Sequence, residues 1–146
     1  MIEIRHKETG DVLRVLEADS LAGADLRDDT LDGADLRGAD LSNAWLQEAD
    51  LIGADLSGAR LGGAILIRTH LDQANLRGAV LDQAKLSDGS PGSGAVLTNC
   101  AMQGVRFSAC DMRYVDLHGS DLSEAVIERT DLSNACFREA RLPGVK

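Results

Sequence analysis

A five-residue period constrains this chain more than any other feature. Leucine stands at every fifth position from Leu16 to Leu86, fifteen times in succession. After a break the register resumes at Leu97 and continues through Met102, Phe107, Met112, Leu117, Leu122, Ile127, Leu132, Phe137 and Leu142, all large and apolar. Two residues before each sits a small residue. Of the fourteen such sites preceding Leu21 to Leu86, eleven are Ala and the others are Thr69, Asp19 and Asp29. Internal repeats of this kind decide the fold before any local propensity does.

Neither regular element accommodates the period. A helix advances about 100° per residue, so a five-residue step leaves the next Leu rotated by about 140° and the leucines spiral around the axis. A coiled coil needs an average spacing near 3.5 residues and fails for the same reason. In a continuous strand the small residue and its Leu share a face, but the odd step to the next small residue flips it. Both can point inward only if the chain turns a corner in every repeat. Four right-angle corners close a square of 20 residues, the simplest coil, and Gly38, Gly58 and Gly78 recur at that interval.

The triplets Ala24-Asp25-Leu26, Ala34-Asp35-Leu36, Ala39-Asp40-Leu41, Ala49-Asp50-Leu51 and Ala54-Asp55-Leu56 carry a family resemblance. This A-[D/N]-L-x-x pattern, over about residues 19 to 142, resembles the pentapeptide repeat family. The resemblance implies an all-β fold, a right-handed quadrilateral parallel β-helix with four repeats per coil. It also implies that the central apolar residue and the small residue point inward while the other three face out. Asp19 and Asp29 depart from the pattern in the first coil, where a cap or water can satisfy them. Twenty-five central positions give about six coils, a solenoid roughly 30 Å long at the spacing of adjacent strands. A core of Leu on Leu and Ala on Ala needs no aromatics, and only 3% of residues are aromatic.

Residues 1 to 18 precede the repeats. Ile2 and Ile4 alternate with polar residues, Glu8-Thr9-Gly10-Asp11 reads as a turn, and Val12 to Leu16 returns, which predicts a β-hairpin. A solenoid's first coil exposes strand edges and apolar side chains, so the hairpin is expected to cap the β-helix of residues 19–146. At the other end Leu142-Pro143-Gly144-Val145-Lys146 offers no covering helix. Either Pro143 and Lys146 blunt that edge, leaving a monomer, or two chains meet there end to end as a symmetric homodimer.

The register breaks over Ser87–Val96, where Leu86 and Leu97 stand eleven residues apart, one repeat plus six. Asp88, Gly89, Ser90, Pro91, Gly92, Ser93 and Gly94 have no side chain to fill a core site. A loop at about 87–95 is therefore expected to protrude from a corner. Leaving its six extra residues out of the count sorts the outward positions onto four faces. One face shows Asp32, Asp50, Asp72, Asp116 and Glu139 against Arg138, a charge of 1 − 5 = −4. Another shows Trp45, Ile65, Ile67 and Tyr114, with Trp45 and Ile65 expected to touch on neighbouring coils. A contiguous exposed apolar cluster suggests an interface, and Trp and Tyr are frequent anchors there.

Chemistry of other kinds finds little support. The formal charge of −9, with no Lys/Arg run, argues against direct nucleic-acid or anionic-membrane binding. No 18-residue apolar stretch and no secretory h-region is present. Three cysteines without a CxxC suit a reducing, cytoplasmic setting. Cys100 and Cys110 fall at inward small-residue positions, whereas Cys136 faces out without a motif around it. His6 falls in the hairpin, and His70 and His118 lie two coils apart, too far to share a metal. The Asp residues repeat beside the core Leu as turn formers rather than acid–base pairs. No nucleophile elbow, metalloprotease motif or phosphate-cradling loop occurs. The expectation is a protein without catalytic residues, cofactor or metal, acting as a scaffold for an unidentified protein partner.

The family resemblance implies an alternative. Some pentapeptide repeat proteins resemble B-form DNA in width and charge and bind type II topoisomerases such as gyrase, conferring quinolone protection or inhibition. The acidic face, the loop, and Phe107, Cys110 and Phe137 in the second half fit that branch. Arg27, Arg37, Arg60, Arg77 and Arg106, interleaved through the outer surface, weigh against a continuous negative stripe.

Overall fold

The computed structural model describes Met1–Lys146. Short parallel bridges replace long strands, and they line up in four ladders. One runs Asp25–Trp45–Ile65–Lys85–Asp111–Asp131 and the next Thr30–Asp50–His70–Val96–Asp116–Cys136. The third runs Asp35–Asp55–Asn75–Ala101–Asp121–Arg141. The fourth runs Asp40–Arg60–Val80–Arg106, and Arg106 then pairs with Val126. Successive rungs are 20 residues apart, or 26 where the coil contains the break, so four repeats close each turn. The chain is thus a four-sided parallel β-helix. Two named strands lie within it, β3 (Arg106–Ser108) and β4 (Val126–Glu128), paired in parallel. They follow the N-terminal strands β1 (Ile2–Arg5) and β2 (Val12–Leu16).

The corners explain the period. From Leu21 to Leu142, except after Leu86 at the break, the residue two places after each central side chain adopts a left-handed conformation, with φ between +50° at Arg129 and +72° at Gly144. Glycine takes that region without steric cost, which accounts for Gly38, Gly58 and Gly78. Coil-to-coil hydrogen bonds then hold each side. Leu46 N donates to Ile65 O at 2.9 Å, Glu48 N to Ile67 O at 3.1 Å, and Ile65 N back to Ala44 O at 3.0 Å. Most peptide groups thereby find a partner in a neighbouring turn, while the inward small residue donates within its own corner, as Ala49 N does to Leu46 O at 3.1 Å.

Leu and Ala stack into a dry core in which Leu26 to Leu122 are all but sealed from solvent. Inward polar residues are satisfied locally. Thr69 Oγ1 donates to Leu46 O at 2.7 Å, and Ser120 Oγ donates to Leu97 O while accepting from Cys100 N. Asp29, acidic at an inward site, meets Arg14 of β2 at 2.9 Å, and Asp19 is exposed to water.

β1 and β2 form an antiparallel hairpin laid on the first coil. Ile4 is buried, and Leu13 and Leu16 pack against the core. Asp35 N donates to Arg5 O at 2.8 Å and Lys7 N to Gly33 O at 2.9 Å, so backbone bonds as well as apolar contact join hairpin to coil. His6 is used structurally: its Nδ1 accepts from Glu8 N and Thr9 N, and its ring lies over Gly33, where any side chain would collide with it.

The C-terminal end is built differently. Ile127, Leu132 and Phe137 are only partly buried and Leu142 is 43% exposed. With Val145 and Lys146 they line an open hollow of about 320 Å³. The N–H groups of Leu132, Asn134, Phe137, Glu139 and Leu142, whose counterparts in earlier coils donate to the next turn, have no acceptor within the chain.

Candidate interaction surfaces

Trp45 sits on the first ladder with Ile65 directly below it, as the 20-residue spacing predicts. The cluster is less exposed than the sequence suggests. Trp45 is 44% exposed, but Ile65 and Ile67 are only partly accessible, because close-packed coils bury the flanks of every outward side chain. Trp45 is held on its other side. The Arg27 guanidinium lies 4.7 Å from the ring centroid, and the Asp25 carboxylate grips that guanidinium through bonds of 2.8 and 2.7 Å. This clamped cation–π contact holds the indole against the coil above. Arg27 and Trp45 stand 18 residues apart, a diagonal between adjacent coils that the period made available and the sequence reading did not use.

Tyr114 does not join this cluster. It is on the same side, but the Lys85 rung lies between it and Ile65, and its backbone carbonyl underlies Gly94 of the loop. A Cβ at Gly94 would collide with that carbonyl, so glycine is required there.

The register break is a compact loop closed at its base by Ala95 N donating to Leu86 O at 2.8 Å. Asp88, Ser90, Pro91 and Gly92 project into solvent. Ser93, expected to protrude, is instead buried together with Ser87. Their hydroxyls lie 2.8 Å apart, and Ser93 Oγ also donates to Ser90 O, so this pair pins the loop from within. At the tip Ser90 donates to Asp88 through both N and Oγ, which lowers the Asp88 carboxyl to about 2.

Asp50 and Asp116 lie on the second ladder, as the face sorting requires. No arginine pairs with Asp32, Asp50, Asp72 or Asp116; Asp72 accepts from Thr98 Oγ1 at 2.6 Å, and Glu139 faces His118 at 3.7 Å. The arginines that weakened the DNA-like reading belong to other sides. Arg27, Arg37 and Arg106 are bound by Asp25, Asp35 and Asp82. The acidic side therefore keeps its excess of negative charge, though Ile52, His70, Val96, Thr98 and Arg138 interrupt it. Ile52, 39% exposed, was not anticipated; its flanking aspartates gave no apolar signal.

Between loop and corner lies a polar cleft of about 230 Å³ lined by Glu48, Arg68, His70, Gly92, Gly94 and Val96. His70 and His118 are separated by the Val96–Thr98 coil. No helix of the structure is long and apolar enough to cross a membrane.

A solenoid with this period, these corners and this Leu/Ala core is a pentapeptide-repeat architecture. The sequence pattern of the family described as pentapeptide repeats matches eight copies, over residues 20–58, 54–89, 93–129 and 110–146. The chain belongs to the pentapeptide repeat family, and its β-helix is right-handed like those of its structural neighbours. A trypsin-treated form of QnrB1, a plasmid-mediated fluoroquinolone resistance protein, is similar at a TM-score of 0.63 and 23% identity, covering 75% of this chain and 60% of that one. Full-length QnrB1 gives 0.51 and 20%, covering 75% and 63%. HetL, from the cyanobacterium Nostoc and involved in heterocyst differentiation regulation, is 28% identical at a TM-score of 0.37, covering 85% and 72%. The chain thus spans 60% of the length of that first form of QnrB1. No curated protein matches.

Proposed function

We propose that this protein is a non-catalytic interaction scaffold whose rigid β-helix presents the Trp45–Ile65–Ile67 patch, with the neighbouring loop, to a protein partner. The observation that carries this reading is the exposed indole, fixed by Arg27 and Asp25, in a fold whose core has no use for tryptophan. Aromatic anchors held in advance lose little side-chain freedom on binding. A reducing, cytoplasmic compartment suits the three free thiols. The test is capture from lysate by the wild-type chain and by Trp45→Ala, both checked for an unchanged circular dichroism spectrum. Loss of specific partners with Trp45→Ala supports the patch, and unchanged capture rejects it.

A second reading, DNA mimicry toward gyrase, draws support from the unpaired acidic side and from the fold shared with QnrB1. A supercoiling assay across a salt series tests it. Inhibition, or relief of quinolone inhibition, that fades as salt rises supports it, and no effect at micromolar protein excludes it.

A further inference from the structure

The open end of the β-helix admits one symmetric partner. Three of its four sides finish in unused backbone groups. Leu132 N–H and Thr130 O are free on the first ladder, Phe137 N–H and Ala135 O on the second, and Leu142 N–H and Ala140 O on the third. The fourth side is covered by Lys146, whose N donates to Ala125 O at 3.0 Å while its O accepts from Ile127 N at 2.8 Å. Each open side thus has one pattern, a carbonyl and an N–H flanking an outward residue: Asp131, Cys136 and Arg141 in turn.

A second copy of this chain matches that pattern. The β1–β2 hairpin seals the other end, so copies cannot stack head to tail and only tail-to-tail contact remains. Antiparallel strands bond where the N–H after one residue meets the carbonyl before the residue opposite, and the reverse. We infer that two copies join tail to tail about a two-fold axis at Cys136, the first ladder of each paired with the third of the other. Phe137 N–H then bonds Ala135 O of the second copy, Leu132 N–H its Ala140 O, and Leu142 N–H its Thr130 O.

Pitch and charge fix this axis. Each side of a coil stands about a quarter of the roughly 4.8 Å strand spacing above the side before it. Setting the low first side on the high third side, and the second on itself, keeps the gap even. An axis through the first or third side leaves a wedge. On the fourth side the gap is one strand wider, and the two Lys146 backbones enter it from opposite ends. The same axis sets Asp131 opposite Arg141 of the second copy, twice over, and opposite charges facing across strands attract. Asp131 is 52% exposed, accepts from Ser133 and otherwise reaches only Arg113, at 3.8 Å, while Arg141 forms no salt bridge. Leu132, Phe137, Leu142 and Val145 of both copies close the hollow between them. The facing Cys136 residues stand about 4.5 Å apart at Cα, within the range of a disulfide.

Cys136 is the exposed thiol of the three, so it reports the axis. Diamide is added to the 146-residue chain at a concentration where sedimentation velocity shows the dimer. It takes two electrons and two protons from the facing thiols, which join through one S–S bond. The expected result is a linked dimer on a non-reducing gel, absent in Cys136→Ser and formed at least tenfold more slowly by Leu142→Arg. Asp131→Arg or Arg141→Asp alone, each with an unchanged circular dichroism spectrum, weakens the dimer tenfold or more, and the double variant restores it. A chain that is monomeric at every concentration, or a dimer that diamide leaves unlinked, overturns the inference. Single charge variants that dimerise like the parent, or a double variant no tighter than the singles, overturn the Asp131–Arg141 pairing and the axis with it.

Discussion

Cys100 and Cys110 occupy inward sites that alanine holds in most coils, and each thiol donates to a core carbonyl at 2.9 Å, Leu71 O and Leu81 O respectively. Burial pushes Cys100 up to about 12 and Cys110 up to about 11, because a thiolate there would lose its hydration. Cys136 stands outside on the acidic ladder. Ellman's reagent at pH 8 is therefore expected to titrate one thiol in the native protein and three in denaturant; rapid reaction of two or three would refute the burial. A raised thiol pKa means that the contribution to stability is complete below the unfolded value near 8.5 and is lost as pH climbs towards 12. The aspartates work in the opposite direction. Arg27 lowers Asp25 to about 2 and Ser90 lowers Asp88 to about 2, so their contributions are present above 3.8 and vanish as pH falls through 2. Thermal melts should be flat from pH 5 to 8 and decline between about 4 and 2. Both groups are exposed, so that decline should be shallow and weaker still in high salt. A melting temperature unchanged down to pH 2 would contradict it.

At the scale of elements, the loop is the one departure from the period, and its geometry predicts how to remove it. Leu86 O already accepts from Ala95 N, so the coil closes beneath the loop. Deleting Asp88–Ser93 joins Ser87 to Gly94 and restores Leu-x-Gly-Ala-x-Leu, with a glycine at the left-handed corner. The shortened chain should keep its circular dichroism spectrum and melt within a few degrees of the parent, because the deleted residues supply no apolar core side chain and the Ala95 N–Leu86 O bond already closes the coil. Cooperative unfolding at much lower temperature would show that the buried Ser87–Ser93 pair is part of the coil. The five-residue spacing made the ladders, corners and inward residues legible, since each follows from where a side chain must point. The spacing could not show that Ser93 turns inward, because that depends on hydrogen bonds to Ser87 and Ser90 outside any repeat. Nor could it show that Ile65 and Ile67 are half covered, or that Tyr114 belongs to the loop, because both depend on how neighbouring coils crowd each other. The Arg27–Trp45 stack lies between these cases: its position was implied by the 20-residue coil, its contact was not.

For the whole molecule, the two ends of the solenoid pose the same problem and meet it differently. Stacked coils leave a sheet edge and a layer of core at each terminus. At the N-terminal end the β1–β2 hairpin seals Ile4 and bonds to the first coil through Arg5 and Lys7. At the C-terminal end of this chain Leu142 is open, the hollow bounded by Ile127, Leu132, Phe137 and Val145 is apolar, and a set of backbone donors and acceptors remains unused. In the dimer we propose, a second copy related by a two-fold axis meets this end: it would bring the same donors and acceptors in reverse order, which antiparallel bridging requires, and set one hollow against the other. Sedimentation velocity of the 146-residue chain at tens of micromolar should therefore show an end-to-end dimer, about twice as long as the single solenoid. Leu142→Arg places a charge in the centre of that contact without touching the buried core of earlier coils. It should give a monomer with an unchanged spectrum, and the dimer of the parent should persist at high salt because apolar contact holds it. A parent chain that sediments as a monomer at every concentration, or a Leu142→Arg variant that remains dimeric, would place the self-association surface elsewhere or remove it.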